Sequence, residues 1–268
     1  MPISTVYKVI KKKLRLHAYK VQNVQVLEPD DRPSRMAFAT DMLRRIEDDD
    51  EFLKRIMFSD EASVHLSSIV NRHNVRIWES ENHHEYRDAQ RDSPKVNVCC
   101  GLMHDRVIGP FVFTEKTVSS AVYLDMLENF VFPQLEELQP NAFLQQDGAP
   151  PHWGTIVRSS LNDHFTGRLV GRGGPIPWPP RSPDITPLNF FLWEFVKDNV
   201  YRRSVSNIDD LKARITTAIA SVDADMIAEK SFQSQLINRK LLLKFTALVI
   251  LHEAAAGSRL KRRLRELP

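Results

Sequence analysis

The chain has 268 residues, 26% of them charged and 42% hydrophobic, with 9 Gly and 16 Pro. That apolar share supports a packed core in one large or two modest domains and excludes a disordered or fibrous chain. Two adjacent cysteines, Cys99 and Cys100, exclude a disulfide-stapled mini-protein. The net charge of +3 is unevenly placed. Residues 1–22 carry Lys8, Lys11, Lys12, Lys13, Arg15 and Lys20 with no acid, and residues 258–268 carry Arg259, Lys261, Arg262, Arg263 and Arg265 against Glu266. Two basic ends on an acidic body suit a polyanion partner, although solvated charge at the termini accounts for them equally well. No apolar stretch follows the first charges, so a signal peptide is not expected. The run 241–251 is interrupted by Lys244 and is too short to cross a bilayer. The expectation is a soluble intracellular protein.

In chain order, residues 1–22 read as a helix, with Ser4 as N-cap and an approximate stripe of Val6, Val9, Ile10, Leu14 and Leu16. The segment EPDDRP at 28–33 breaks the pattern with two prolines. A helix follows through Met36, Phe38, Met42, Leu43 and Ile46 into the acidic run 47–51. From Ile56 the pattern is strand-like: RIMFS at 55–59 is a short apolar run ending at Asp60. Segments 96–103 and 107–114 flank the polar turn His104-Asp105-Arg106, which is a hairpin signature. Residues 119–138 have helical spacing through Val122, Leu124, Leu127, Phe130, Val131 and Leu135. AFLQQ at 142–146 is a short strand ending at Asp147. A helix at 155–165, a strand beginning at 168, a Pro-rich loop at 175–187 and a helix at 188–201 follow. Asn207 caps a last amphipathic helix at 208–222. The order of three strands, helix, strand, helix, strand, helix makes an α/β fold.

Asp60 and Asp147 share a position, each directly after a short apolar strand. Acids at the ends of adjacent strands converge, and converging carboxylates suit Mg2+ or Mn2+, which prefer hard oxygen ligands. Such ions activate a water or hydroxyl and stabilise the leaving oxygen of a phosphodiester. Aspartates at strand ends are also ordinary turn residues, so this pair alone leaves the question open.

The blocks FSDEASVHLSSIVNRHNVRIW (58–78), FLQQDGAPPHW (143–153) and WPPRSPDITPLNFFLWEFVKDNVY (178–201) closely resemble mariner-like (Tc/mariner superfamily) transposases. The resemblance runs over about residues 1–225. It implies a ribonuclease-H-like mixed sheet flanked by helices, metal-dependent cutting and joining of DNA, and a nuclear location. On this resemblance Asp60 and Asp147 are the first two metal-binding acids of a two-metal Mg2+ or Mn2+ site. His152 matches the family's histidine shortly after the second acid. Residues 1–22 resemble the end of a second helix-turn-helix, so Lys8, Lys11, Lys12, Lys13, Arg15 and Lys20 would contact DNA. The implied layout is that remnant at 1–22, a linker and helix at 23–53, the catalytic domain at 54–225 and a helical basic tail at 226–268. DNA is the implied partner, with no membrane, and a homodimer is the assembly to test.

Two departures from the family matter. The third acid stands five residues after the aspartate of the Ser-Pro-Asp block, here Ser182-Pro183-Asp184, and that position is Asn189. An amide oxygen can ligate a cation but carries no charge and cannot act as a base, so the expectation is a damaged site. No neighbour replaces it cleanly. Glu194 and Asp198 lie about 140° and about 180° around a regular helix from residue 189. Asp184 sits in the loop, and Glu61 points to the opposite face of the strand from Asp60. The second departure is at the front, where the first helix-turn-helix and most of the second are expected to be missing.

Weaker signals are His83-His84 with Cys99-Cys100, which lack structural-zinc spacing and read as loop histidines and buried strand cysteines. Trp78, Trp178 and Trp193 could stack on bases, though Trp193 reads as core. Arg72, His73, Arg76, Arg172 and Arg181 could contact phosphates. Three readings stay open: a transposase-derived DNA-binding protein with an impaired site, a residually active nuclease, and an interaction module that does not bind DNA. Asn189 favours the first over the second, and the basic ends favour both over the third.

Overall fold

The computed structural model describes residues 5–6, 9–10, 14, 17–20, 27–67, 76–79, 93–135 and 141–228. Its strands are β1 (His17–Lys20), β2 (Ile56–His65), β3 (Arg76–Glu79), β4 (Lys95–Leu102), β5 (Val107–Val112), β6 (Phe143–Gln145), β7 (Leu169–Gly171) and β8 (Ile176–Pro177). Its helices are α1 (Asp31–Asp48), α2 (Ser120–Met126), α3 (Phe132–Leu135), α4 (Thr155–His164), α5 (Trp193–Val200) and α6 (Ile208–Ala220). A wider π-turn at Leu127–Val131 joins α2 to α3, and another at Leu188–Leu192 leads into α5.

Strand β2 organises the main sheet because its two edges are used over different lengths. Residues 56–58 pair in parallel with β6, from Ile56↔Phe143 to Phe58↔Gln145. Residues 58–65 pair antiparallel with β4, which turns back on β5 as the hairpin pattern predicts, its turn closed by Met103 N–H donating to Arg106 C=O at 2.9 Å. Beyond β6 lie β7 and β8, both parallel, giving the order β5-β4-β2-β6-β7-β8. The result is the mixed α/β sheet expected from the element order.

Alternation along the strands divides the core into two layers. Ala62, Val64, Val98 and Cys100 face Leu188, Leu192, Trp193, Val196, Leu211 and Ile215. Met57, Cys99 and Leu144 face Tyr123, Met126, Leu127, Val157 and Leu161. Helix α1 covers a third cluster of Met42, Phe52, Ile56, Val170, Ile176 and Trp178.

The structure corrects four local expectations. Residues 17–20 are strand, paired antiparallel with β3 at His17↔Glu79 through Lys20↔Arg76; the apolar helical stripe ends at Leu16, and the distant segment supplies the hydrogen bonds that decide the backbone. Strand β2 runs five residues past Asp60, because β4 continues as its partner after β6 has left. Helix α1 starts at Asp31 and includes Pro33, tolerated in a first turn where a proline costs no helical hydrogen bond. The Pro-rich loop contains β8. Residues 5–6 and 9–10 are helical, as the 1–22 reading expects, and residue 14 is a bend; the remaining positions of that reading, and everything from 229 onward, lie outside the described residues.

Candidate active site

The last parallel pair between β2 and β6 is Phe58↔Gln145. Two residues further along each chain stand Asp60 and Asp147, so both acids reach the point where β6 leaves the sheet. Asp60 is therefore in mid-strand, opposite Cys100 of β4, with its parallel neighbour gone. Its Oδ2 accepts a 2.8 Å hydrogen bond from the indole N–H of Trp193, the first residue of α5. Burial pushes the Asp60 carboxyl up to about 7. The charges of Glu61 and Asp147 push the same way, against the Trp193 hydrogen bond and the field of His152.

Glu61 faces the other layer, as strand alternation requires. Its carboxylate meets His152 Nε2 at 3.1–3.2 Å. His152 Nδ1 lies 2.7 Å from Asp147 Oδ1, an ion-pair contact in which the N–H is not aimed along the line to the oxygen. The ring is buried and packs 4.1 Å from Tyr123, whose hydroxyl donates to Gln146 Oε1 at 3.1 Å. Burial alone would discharge the imidazole; Glu61 and Asp147 outweigh it and raise its pKa to about 10. Burial likewise opposes ionisation of Asp147, but His152 and the Ala149 N–H, 2.9 Å from Oδ1, hold it below its ordinary value. A protonated histidine thus ties the second acid to Glu61, a link 91 residues long in sequence.

Asn189 lies in the π-turn that packs against β2 and ends at Trp193, its backbone N–H donating to Thr186 C=O at 3.0 Å. Asp184 is held elsewhere: Arg35 of α1 grips both its oxygens, Nη1 to Oδ1 at 3.1 Å and Nη2 to Oδ2. Arg35 also donates to Ser182 Oγ at 2.8 Å, so the Ser-Pro-Asp block fastens α1 to the segment carrying Asn189. Among the described residues no cluster of three or more His, Cys, Asp or Glu side chains forms a metal cage. The donors brought together are the carboxylates of Asp60 and Asp147, close enough that the charge of Asp147 acts on Asp60. That set suits a hard divalent cation, and Asp60, buried and crowded by negative charge, is a carboxylate that such a cation would stabilise.

No protein-family profile matches the sequence, and no curated protein does. Solved structures do match. The Mos1 transposase paired-end complex with left transposon end is similar at a TM-score of 0.65, with 17% identity, over 90% of this chain and 70% of that one. The catalytic domain of Mos1 mariner transposase is similar at 0.63, with 17% identity, over 84% and 98%. The Mos1 mariner paired-end complex with Mn is similar at 0.63, with 19% identity, over 89% and 70%. This chain has the fold of a mariner transposase catalytic domain.

On that transposase fold the remaining sequence candidates separate. Lys8, Lys11, Lys12, Lys13, Arg15, Arg72, His73, His83 and His84 lie outside the described residues, and Lys20, Arg76 and Trp78 lie in β1 and β3. Arg181 is not a free phosphate contact: it pairs with Asp31 (Nε–Oδ2 2.5 Å) and Glu28 (3.1 Å). Trp178 is core, edge-on to Phe38 at 5.0 Å. Cys99 and Cys100 are free and buried, one in each layer. Trp193 is buried as expected but also holds Asp60, and the adjacent Glu61–His152 pair escaped the sequence reading. The one signal pointing there was the unexplained histidine after Asp147. Among the described residues no helix is long and apolar enough to cross a membrane.

Proposed function

We propose that the chain is a transposase-derived DNA-binding protein of mariner-like type whose metal-dependent strand-cleaving centre is impaired. One observation carries the reading: an uncharged Asn189 stands where the resemblance requires a third acid, on a turn that packs against β2. Asp60 and Asp147 would hold Mg2+ or Mn2+, with Asn189 Oδ1 as a neutral ligand. When bound, the cation would lower the pKa of a water or 3′-hydroxyl nucleophile and stabilise charge on the phosphoryl oxygens. The chain's own part is to orient. Trp193 fixes Asp60, and protonated His152 keeps Asp147 ionised and in place. Asn189 neither accepts a proton nor balances cation charge, so cleavage loses electrostatic support where negative charge develops.

Support for DNA as the partner comes from Mos1 complexes with transposon ends, and support for the metal from Mos1 structures with Mn and Mg. The lysines of residues 1–22 would add phosphate contacts without base readout. A nuclear location and a homodimer go with this reading, as does the layout of N-terminal remnant, linker, catalytic domain and basic tail. The alignment of Asp60 with Asp147 favours a second reading, a residually active nuclease. Incubating the protein and Asn189→Asp with supercoiled plasmid and Mn2+ separates the two. The expected result is nicking by the variant only, abolished when Asp60→Ala is added. Nicking by the parent chain, lost on Asp60→Ala, refutes impairment.

A further inference from the structure

A second constellation lies beside the acids and takes no part in holding them. Trp153 closes the short 3-10 turn Pro150–Trp153 that follows Asp147. Two guanidinium groups lie over its indole: Arg158 of α4 at 4.5 Å from the ring centroid and Arg172, in the β7–β8 turn, at 4.7 Å. Most other arginines described here are bound to carboxylates: Arg35 to Asp184, Arg45 to Asp41, Arg55 to Asp49, Arg181 to Asp31 and Arg214 to Asp210. Arg158 and Arg172 have no acidic partner among the described residues, and the buried Nε of Arg158 has no hydrogen-bond partner.

The backbone is built to bring them together. Gly173 has φ +66°, and a Cβ there would lie 2.4 Å from Trp153 Cη2, so only glycine lets this turn press on the indole. A Cβ on Gly148, the residue after Asp147, would come within 3.4 Å of Arg172 Cδ, which puts the arginine stem against the chain leaving Asp147. Two cations on one indole repel each other, and the ring attracts each only modestly. A polyanionic strand running past the ring relieves that repulsion and meets donors that are already ordered.

We infer that Arg158 and Arg172, held on Trp153, form a clamp for backbone phosphates of a DNA strand passing Asp147. The cations already cover the indole, so its role is to order them rather than to stack on a base. The inference rests on the reading of DNA as partner, and its test separates the two.

Binding of a short fluorescein-labelled duplex of arbitrary sequence is followed by anisotropy over a series of KCl concentrations. Each phosphate contact contributes about 0.9 to the slope of log K against log salt. Arg158→Gln with Arg172→Gln is expected to reduce the slope by about 1.8, whereas the corresponding Lys pair, which keeps the charges, retains it. Exposed Arg172→Gln alone is expected to reduce it by about 0.9, which keeps the test open should the double variant melt early. A wild-type slope in the Gln variants overturns the clamp while leaving DNA binding intact. Equal loss in the Lys pair assigns the effect to packing and also overturns it. Absence of duplex binding by the wild-type chain at low salt sinks the DNA reading and the clamp together.

Discussion

Two groups of acids flank the segment from Arg181 to Trp193, and they are treated in opposite ways. At its start, Asp31 and Asp184 are held by guanidinium groups of Arg181 and Arg35. The Arg181 hydrogen bonds keep Asp31 below the usual carboxylate range. At its end, Asp60 is buried against a neutral indole N–H with Glu61 and Asp147 nearby, and its pKa is pushed up to about 7. The first group is balanced within the chain and fastens α1 to the sheet. In the second, burial and the charges of Glu61 and Asp147 outweigh the Trp193 hydrogen bond and the field of His152 at Asp60. His152 contacts Asp147 and Glu61 directly and acts on Asp60 only through its field, and the half-buried Lys197 also interacts with Asp60 through its charge.

The largest effect should come from Trp193, which belongs to both the core and the site. Trp193→Ala is expected to cost about 4 kcal/mol in urea denaturation, from the lost packing and cavity. Trp193→Phe should cost much less while still removing the indole N–H that donates to Asp60. If Phe and Ala cost the same, the indole N–H rather than packing dominates, and the contrast fails.

Next is the balanced group. Asp184→Ala leaves the nearly buried Arg35 without this carboxylate and should cost about 2 kcal/mol in urea denaturation. A cost below about 0.5 kcal/mol would class the pair with ordinary surface ion pairs.

The third prediction concerns pH in metal-free protein. Asp60 is raised from 3.8 to about 7, so between those values the folded chain binds more protons than the unfolded one. Its contribution to stability therefore falls as pH rises through that window. His152, raised from 6.5 to about 10, extends the decline from 6.5 upward. Asp31, which is lowered, acts in the other sense, losing its contribution as pH falls through and below 3.8. Denaturation midpoints for Asp60→Asn should flatten between pH 4 and 7 and keep the decline above; an unchanged lower slope would show that Asp60 is not the group titrating there.

Local interactions were legible in the sequence. Asn207 caps α6, accepting from Asp210 N–H at 2.9 Å, and Ser119 caps α2, accepting from Val122 N–H at 3.4 Å. The β4–β5 hairpin is equally local, its turn and partner strands lying within one short segment. Strand β1 and the second half of β2 were not legible, because each depends on a hydrogen-bonding partner distant in sequence, while β8 pairs with the nearby β7 inside a stretch whose prolines mask the strand pattern. The site divides the same way. Asp60 and Asp147 announce themselves after short apolar runs, whereas the Glu61–His152 contact and the indole bond to Asp60 join residues 91 and 133 positions apart. Arg181 reads as a surface cation until Asp31 is found beside it.

The sequence by itself determined which carboxylates follow short apolar runs and where the polypeptide carries unbalanced basic charge. These follow from residue identity and short-range periodicity. Only the tertiary structure decided which of those charges are already satisfied. Burial and partner distance set the worth of a charge, and both depend on chain segments that sequence order keeps apart. That is why Asp184 is a fastener and Asp60 a buried acid whose pKa is pushed up to about 7. It is also why Arg181 is neutralised while Arg158 and Arg172 wait together on Trp153.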